Sequence, residues 1–457
     1  MMKQWIFENL WQGHQWQKNV AINTDQEGTI LTINNSIDTQ YNNTEIVKGY
    51  TLAGFPNAHS HAFQYAMAGR AETALWAQKD TFWTWRELMY KTALSLNPTQ
   101  MQHVAEMLYA EMLRLGYTHV VEFHYLHHQP NGKPYENLAE MGERLIEAAQ
   151  NTGIGITLIP VLYQKGGFQK DALPEQRRFI SSNLEQYYQL LEKTQNIAKQ
   201  YKNVQTAASF HSLRAVDTTV IQQIFKDLPE SIIHTHAAEQ LQEVEDCLQT
   251  TQQRPVEWLL NNTPLGEKHF LVHCTHLTKT EVEQLAKSKA TAILCTGTEG
   301  NLGDGVFKLT DYQNQQGKWA IGSDSQICLS PFEEIRWTDY HQRTQTHRRN
   351  TFDFESQKQH PYHQTIFQGR AAANLPFLED YFQVGMPLDA IIIDDEMPLL
   401  AAAETQNILP IILYNADSQW IKGTITQAKW RVKNQKHEKY EIFKYNYQQT
   451  LLSIGKK

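Results

Sequence analysis

Cysteine is scarce in this sequence: four residues in 457, Cys247, Cys274, Cys295 and Cys328, with no C-x-x-C pair. That is too few for a disulfide framework, so reduced thiols and a cytoplasmic location are the expectation. No run of about 18 apolar residues occurs, so no transmembrane helix is expected. The opening "MMKQWIFENLWQGHQWQKN" lacks a charged segment followed by a continuous apolar one, so no signal peptide is read there. The N-x-T sequons at 42–44 and 261–263 then have no glycosylation to serve. Positive charge is not in excess: 41 Lys and Arg against 49 Asp and Glu give a net charge of −8. No field attracts a polyanion, so nucleic acid is not an expected partner, nor is a membrane. The one basic stretch, "KWRVKNQKHEKYEIFK" at 429–444, alternates with apolar residues and reads as solvated strand faces.

What is present is an ordinary globular composition, 41% hydrophobic and 20% charged. Residues 1–52 read as short strands broken by Asp, Gly and Asn. The last 70 or so look similar, with "DAIIIDD", "ILPIILYN" and "WIKGTITQAKWRV". Neither end can build a core alone, so 1–52 and 385–457 are expected to pack together as one small β-sandwich. The middle, 53–384, carries eight apolar strand candidates: "YTLAGFPNAHSH", "THVVEFHYL", "GIGITLIPVLY", "VQTAASFHSL", "SIIHTHAAE", "KHFLVHCTH", "ATAILCTGTE" and "KWAIGSDS". Helical periodicity lies between most of them: Met101, Val104, Ala105, Leu108, Met112 and Leu115 share one face, with Asn97–Pro98 as start and Gly116 as stop. Thr278 and Glu281 form a capping box. Repeated strand–helix alternation predicts an α/β fold, a (β/α)8 barrel. A doubly wound open sheet is the alternative, but no G-x-G-x-x-G opens any unit.

In such a barrel, function sits where strands end. "FPNAHSH" ends the first candidate with His59 and His61; with 19 histidines in the chain, about one H-x-H is expected by chance, so the pair alone proves nothing. His236 ends the fifth candidate with Glu239 three residues on, His273 ends the sixth and Asp324 the eighth. Residues i and i+2 on a strand share a side, so His59 and His61 can face one cation, completed by His236 and Asp324. Three imidazoles and one carboxylate suit zinc or another borderline divalent ion. Glu239 and His273 remain as acid/base groups. Other readings stay open. One histidine of "HTH" at 234–236 can sit a layer deeper; His236 is taken as the ligand because it lies nearer the strand end. His273 can be a core histidine and Asp324 a turn residue; "EFHYLHH" at 122–128 suggests a second metal, but its irregular spacing favours binding or packing roles. Arg86 and Arg214, beside barrel-mouth motifs, can bind carboxylates or serve ion pairs elsewhere. Trp83 and Trp85 flank Arg86 and read as packing, lid or subunit-contact residues.

With these residues in place, the chain resembles the amidohydrolase superfamily over nearly its whole length, and within it the formimidoylglutamate deiminase family. "NAHSHAFQYAMAGRAE", "DTFWTWRELMY", "EFHYLHH", "FHSLRAV", "HAAEQ" and "GNLGDGVF" carry the closer resemblance. It implies one zinc per chain on His59, His61, His236 and Asp324, and catalysis by Glu239, His273 and Asp324. It also implies that a small dicarboxylate is bound by Gln64, Arg86, Tyr125, His211 and Arg214, in a homodimer serving histidine breakdown. "CTGTEGN" at 295–301 and "HQTIFQGRAAAN" at 363–374 depart from the family's pattern. Two rival readings are a superfamily deaminase of purine or pyrimidine rings, which would want a flat apolar slot without two arginines, and a non-catalytic scaffold, which would be expected to lose ligands.

Overall fold

The computed structural model describes residues 2–34, 43–73 and 82–455; Asn42 of the first sequon, Asp80, Thr81 and the side chain of Trp83 lie outside the described residues. The chain begins with β1 (Lys3–Gln12), β2 (Gln15–Thr24), β3 (Ile30–Asn34) and β4 (Thr44–Ala53). The barrel strands follow: β5 (Phe55–Ser60), β6 (Tyr117–His124), β7 (Gly155–Pro160), β8 (Val204–Thr206), β9 (Ala208–Ser209), β10 (Ile233–Ala237), β11 (His269–His273), β12 (Thr291–Leu294) and β13 (Lys318–Ile321). The chain then returns to the β domain with β14 (Ala390–Ile393), β15 (Ile421–Thr426), β16 (Lys429–Lys433) and β17 (Lys436–His437).

Both chain ends pair into one eight-stranded sheet, β17-β16-β15-β14-β4-β1-β2-β3, whose seam is the antiparallel β4–β14 pair. The first strand candidate therefore divides at Gly54. Its front half joins the terminal sheet and its back half opens the barrel. Barrel strands run parallel in two arcs, β5 to β8 and β9 to β13. A bridge between Leu162 and Phe210 joins the arcs on one side, and a bridge between Ser60 and Asp324 joins them on the other. The fourth candidate straddles the first join, which is why it appears as two short pieces. Full burial of both faces explains the near-continuous apolar runs of these strands.

The helix Pro98–Arg114 starts at Asn97 with its capping box and buries the Met101–Met112 face. Helix Lys279–Ser288 starts at Thr278, which accepts from Glu281 N–H. Two terminal segments differ from the sequence reading. "ILPIILYN" is a helix, Ile408–Asn415, not a strand. A short apolar run has no distinguishing period, and Pro410, which would break a central strand, is harmless in a first helical turn. The end of the basic stretch is also helical, Tyr440–Ile454, where β structure was expected. Among the described residues no helix is long and apolar enough to cross a membrane.

Candidate active site

His59 and His61 leave β5 at the barrel closure, fully buried. Backbone bonds from Asp324 N to His59 O (3.0 Å) and from His61 N to Asp324 O (3.2 Å) lock them beside the end of β13. His236 comes from β10. The His59 Nε2 lies 3.2 Å from that of His61 and 3.1 Å from that of His236. Asp324 Oδ1 lies 3.2 Å from His61 Nε2 and 3.5 Å from His59 Nε2. Four ligand atoms on bonds of about 2.0 Å to one tetrahedral ion would be roughly 3.3 Å apart. The observed edges fit such an ion, and these four residues form a candidate metal group.

The other ring nitrogens keep the ligand nitrogens aimed inward: His61 Nδ1 bonds Phe123 O at 2.8 Å and His236 Nδ1 bonds His211 O at 3.0 Å. Burial, helped by His59, holds His61 down to about 3, and burial with His211 and His59 likewise keeps His236 neutral. Burial opposes ionisation of Asp324, but the hydrogen bond from His59 and the charges of His61 and His273 outweigh it and hold the carboxyl below its usual range. Neutral imidazoles and an ionised carboxylate are the forms a metal requires. His234, the other histidine of "HTH", sits deeper, bonding Ala372 O at 2.9 Å and stacking on Phe270.

Beside this group lies a second set. His273 Nε2 is 3.8 Å from Glu239 Oε1 and 3.9 Å from Asp324 Oδ2. Its Nδ1 is 3.3 Å from Oε1 of Glu299, a buried carboxylate that also accepts from Cys295 N. Burial opposes charge on His273, yet Glu239, Glu299 and Asp324 push it up to about 10. Burial pushes Glu239 upward as well. The backbone here is strained: Ala238, His273, Cys274 and Asp324 all have φ between 46° and 73°, a conformation that costs non-glycine residues of order 1–3 kcal/mol each and clusters at active sites.

Above the metal group opens a cavity of about 530 Å³, mouth included. His61, His236, Asp324, Glu239 and His273 line one end; Gln64, Tyr125, His211, Arg86 and Arg214 line the remainder. Gln64 Nε2 donates to Tyr125 Oη at 3.0 Å. Burial opposes the Arg214 charge, but Glu243 and Glu239 outweigh it, and its Nη1 is buried without a partner among the described residues. Every candidate site residue thus borders one cavity except His59, whose Nε2 lies 3.2 Å from that of the lining residue His61. Tyr90, Tyr163 and Phe179 also line it and are not singled out by the sequence, nor is Glu299, since an isolated Tyr or Glu in an amphipathic pattern carries no motif. Trp85, read as a packing, lid or subunit-contact residue, is a lining residue too. Within "EFHYLHH", His127 and His128 are packing residues that bond the carbonyls of Val161 and Ile180, while Tyr125 lines the cavity.

The chain belongs to the amidohydrolase family, which it matches over residues 50–356. It is 39% identical to the formimidoylglutamate deiminase of Pseudomonas aeruginosa over 92% of this chain and 93% of that protein. Among solved structures, an amidohydrolase from Brucella melitensis superposes with a TM-score of 0.91 at 33% identity, covering 99% of both chains. A zinc-bound adenosine deaminase from Xanthomonas campestris gives 0.81 at 16% identity over 99% of this chain and 98% of that one, a likeness of fold alone.

Proposed function

We propose that the chain catalyses zinc-dependent hydrolytic deimination: N-formimino-L-glutamate and water give N-formyl-L-glutamate and ammonia. The observation that carries this is the cavity's polarity. The carboxylates of Glu239 and Asp324 and the guanidiniums of Arg86 and Arg214 line one and the same cavity, which suits a ligand that carries both a cationic amidine and two carboxylates. A neutral purine ring offers those arginines hydrogen-bond acceptors but no negative charge to pair with. The deiminase relative supports the same substrate.

His59, His61 and His236, through Nε2, and Asp324, through Oδ1, would hold the zinc, which supplies Lewis acidity that makes water nucleophilic near neutral pH. Asp324 Oδ2, left free, accepts the proton that the water gives up as its oxygen bonds the amidine carbon. Glu239 hydrogen-bonds the formimino nitrogens and delivers a proton to the departing one, so that ammonia leaves as the C–N bond breaks. His273 orients the water and donates to the oxygen in the tetrahedral intermediate. Arg86 and Arg214, with Gln64, Tyr125 and His211, fix the carboxylates and so hold the carbon over the attacking oxygen.

The same reading takes the barrel as 53–384, the β domain as 1–52 with 385–457, the location as cytoplasmic and the assembly as a homodimer, which light scattering tests. Ammonia release from N-formimino-L-glutamate, formimino-L-aspartate, guanine and adenosine tests the substrate. Turnover of the glutamate derivative above the rings is expected; preference for a ring amine would refute it.

A further inference from the structure

One buried amide sets the direction of two phenols in the cavity wall. Gln176 ends the turn Pro174–Gln176 and is fully buried. Its Oε1 accepts from Leu173 N–H at 2.7 Å. A backbone N–H can only donate, so the carbonyl oxygen of the amide must face Leu173 and the NH2 must face away. There the NH2 reaches Tyr90 Oη at 3.0 Å and Tyr163 Oη at 2.8 Å. Its two hydrogens are both used, one on each phenol. Each phenol oxygen is therefore an acceptor toward Gln176, and neither can point its own proton back at it. No hydrogen bond donated by either hydroxyl is formed among the described residues.

Both tyrosines line the cavity beside Arg86 and Arg214. The Arg86 guanidinium carbon lies 5.5 Å from the Tyr90 ring, and the Tyr163 ring packs 4.5 Å from that of His211. Arg214, itself more than nine-tenths buried, holds Nη1 without a partner. Beside the unpartnered Nη1 of Arg214 stand two O–H groups, all donors. Buried donors without acceptors are unfavourable unless a ligand supplies them. We infer that Tyr90 and Tyr163 donate hydrogen bonds to a substrate carboxylate, and that Gln176 is the positioning residue that turns both protons toward it.

The inference rests on the dicarboxylate reading above. Its test compares Y90F, Y163F and Q176E with the wild-type zinc-loaded protein. Affinity for N-formyl-L-glutamate is read by titration calorimetry, and KM and kcat for N-formimino-L-glutamate are read alongside, with thermal melting as the check on folding. A hydrogen bond to a charged group corresponds to roughly a tenfold to hundredfold loss when its donor is removed. Each Tyr→Phe change is expected to weaken binding and raise KM by that factor, with kcat within about threefold of wild type. Q176E keeps the shape, both tyrosines and an acceptor for Leu173 N–H, but offers the phenols only acceptors. Their protons turn away from the cavity, so Q176E should lose as much affinity as Y90F/Y163F together. Folded variants that bind within twofold of wild type, or that lose kcat with affinity intact, would overturn the inference. If wild type binds N-formyl-L-glutamate and the variants weaken it, yet N-formimino-L-glutamate is not turned over, the proposed reaction fails and the carboxylate wall stands. If wild type binds no dicarboxylate, both fail.

Discussion

Gly322 is the position where the fold and the metal group are most tightly linked, so Gly322→Ala is the sharpest single perturbation. A Cβ there would lie 2.8 Å from His59 Cβ, 2.9 Å from its nitrogen and 3.0 Å from its oxygen. Carbon contacts relax to about 3.5 Å or more, so β13 must back away from β5 by roughly 0.7 Å. Two of the three contacts are backbone, which cannot swing aside. The separation falls across the bonds that tie Asp324 to His59 and His61, 3.0 and 3.2 Å long, and these join ligands on opposite strands. Overpacking of this kind costs about 1–3 kcal/mol of stability. A displacement near 1 Å at a reacting centre can cost on the order of a hundredfold in rate. The expected result is a folded protein with a melting temperature lower by several degrees, zinc affinity reduced at least tenfold in competition with a chromophoric chelator, and little turnover. G322A with wild-type zinc affinity would refute the claim that this close approach sets the ligand geometry.

Further outcomes follow from other residues. Glu239→Gln should retain one zinc per chain by metal analysis while turnover falls about 10²- to 10⁴-fold, the usual contribution of a positioned acid/base group; near-normal turnover would remove Glu239 from the mechanism. Arg214→Lys keeps the charge but loses the fork, and KM for N-formimino-L-glutamate should rise at least about tenfold; an unchanged KM would place the carboxylates elsewhere. Burial holds His119 and His127 down to about 3 in the fold. Both gain protons more readily when unfolded, so their contribution to stability is full above about pH 6.5 and is lost as pH falls from there toward 3, by about 1.4 kcal/mol per pH unit for each histidine. Urea unfolding between pH 7 and 5 should show it, with H119N or H127N flattening the slope; a pH-independent midpoint would contradict it.

The strand ends were legible because barrel chemistry concentrates polar ligands where apolar runs stop. His59, His61, His236 and Asp324 each close such a run, and the structure gathers them within 4.8 Å. Residues that act through long-range neighbours were not legible. Gln176 becomes informative only when Tyr90 and Tyr163, which come from separate segments of the chain, meet its amide. Glu299 reads as one more helical Glu until the fold sets it against His273. "ILPIILYN" is ambiguous for a simpler reason: seven residues in a row before Asn415 carry no polar face to reveal their period. The break at Gly54 was equally hidden, because β4 and β5 form one apolar stretch that belongs to two different sheets.

The central claim, that one metal held by these four residues drives deimination of a dicarboxylate amidine, is tested most directly by titrating zinc into metal-stripped protein. Ammonia release from N-formimino-L-glutamate is followed at each addition. The account predicts no activity without metal, a linear rise, and a plateau at one zinc per chain. Full activity in the stripped protein, or none with one zinc bound, would contradict it.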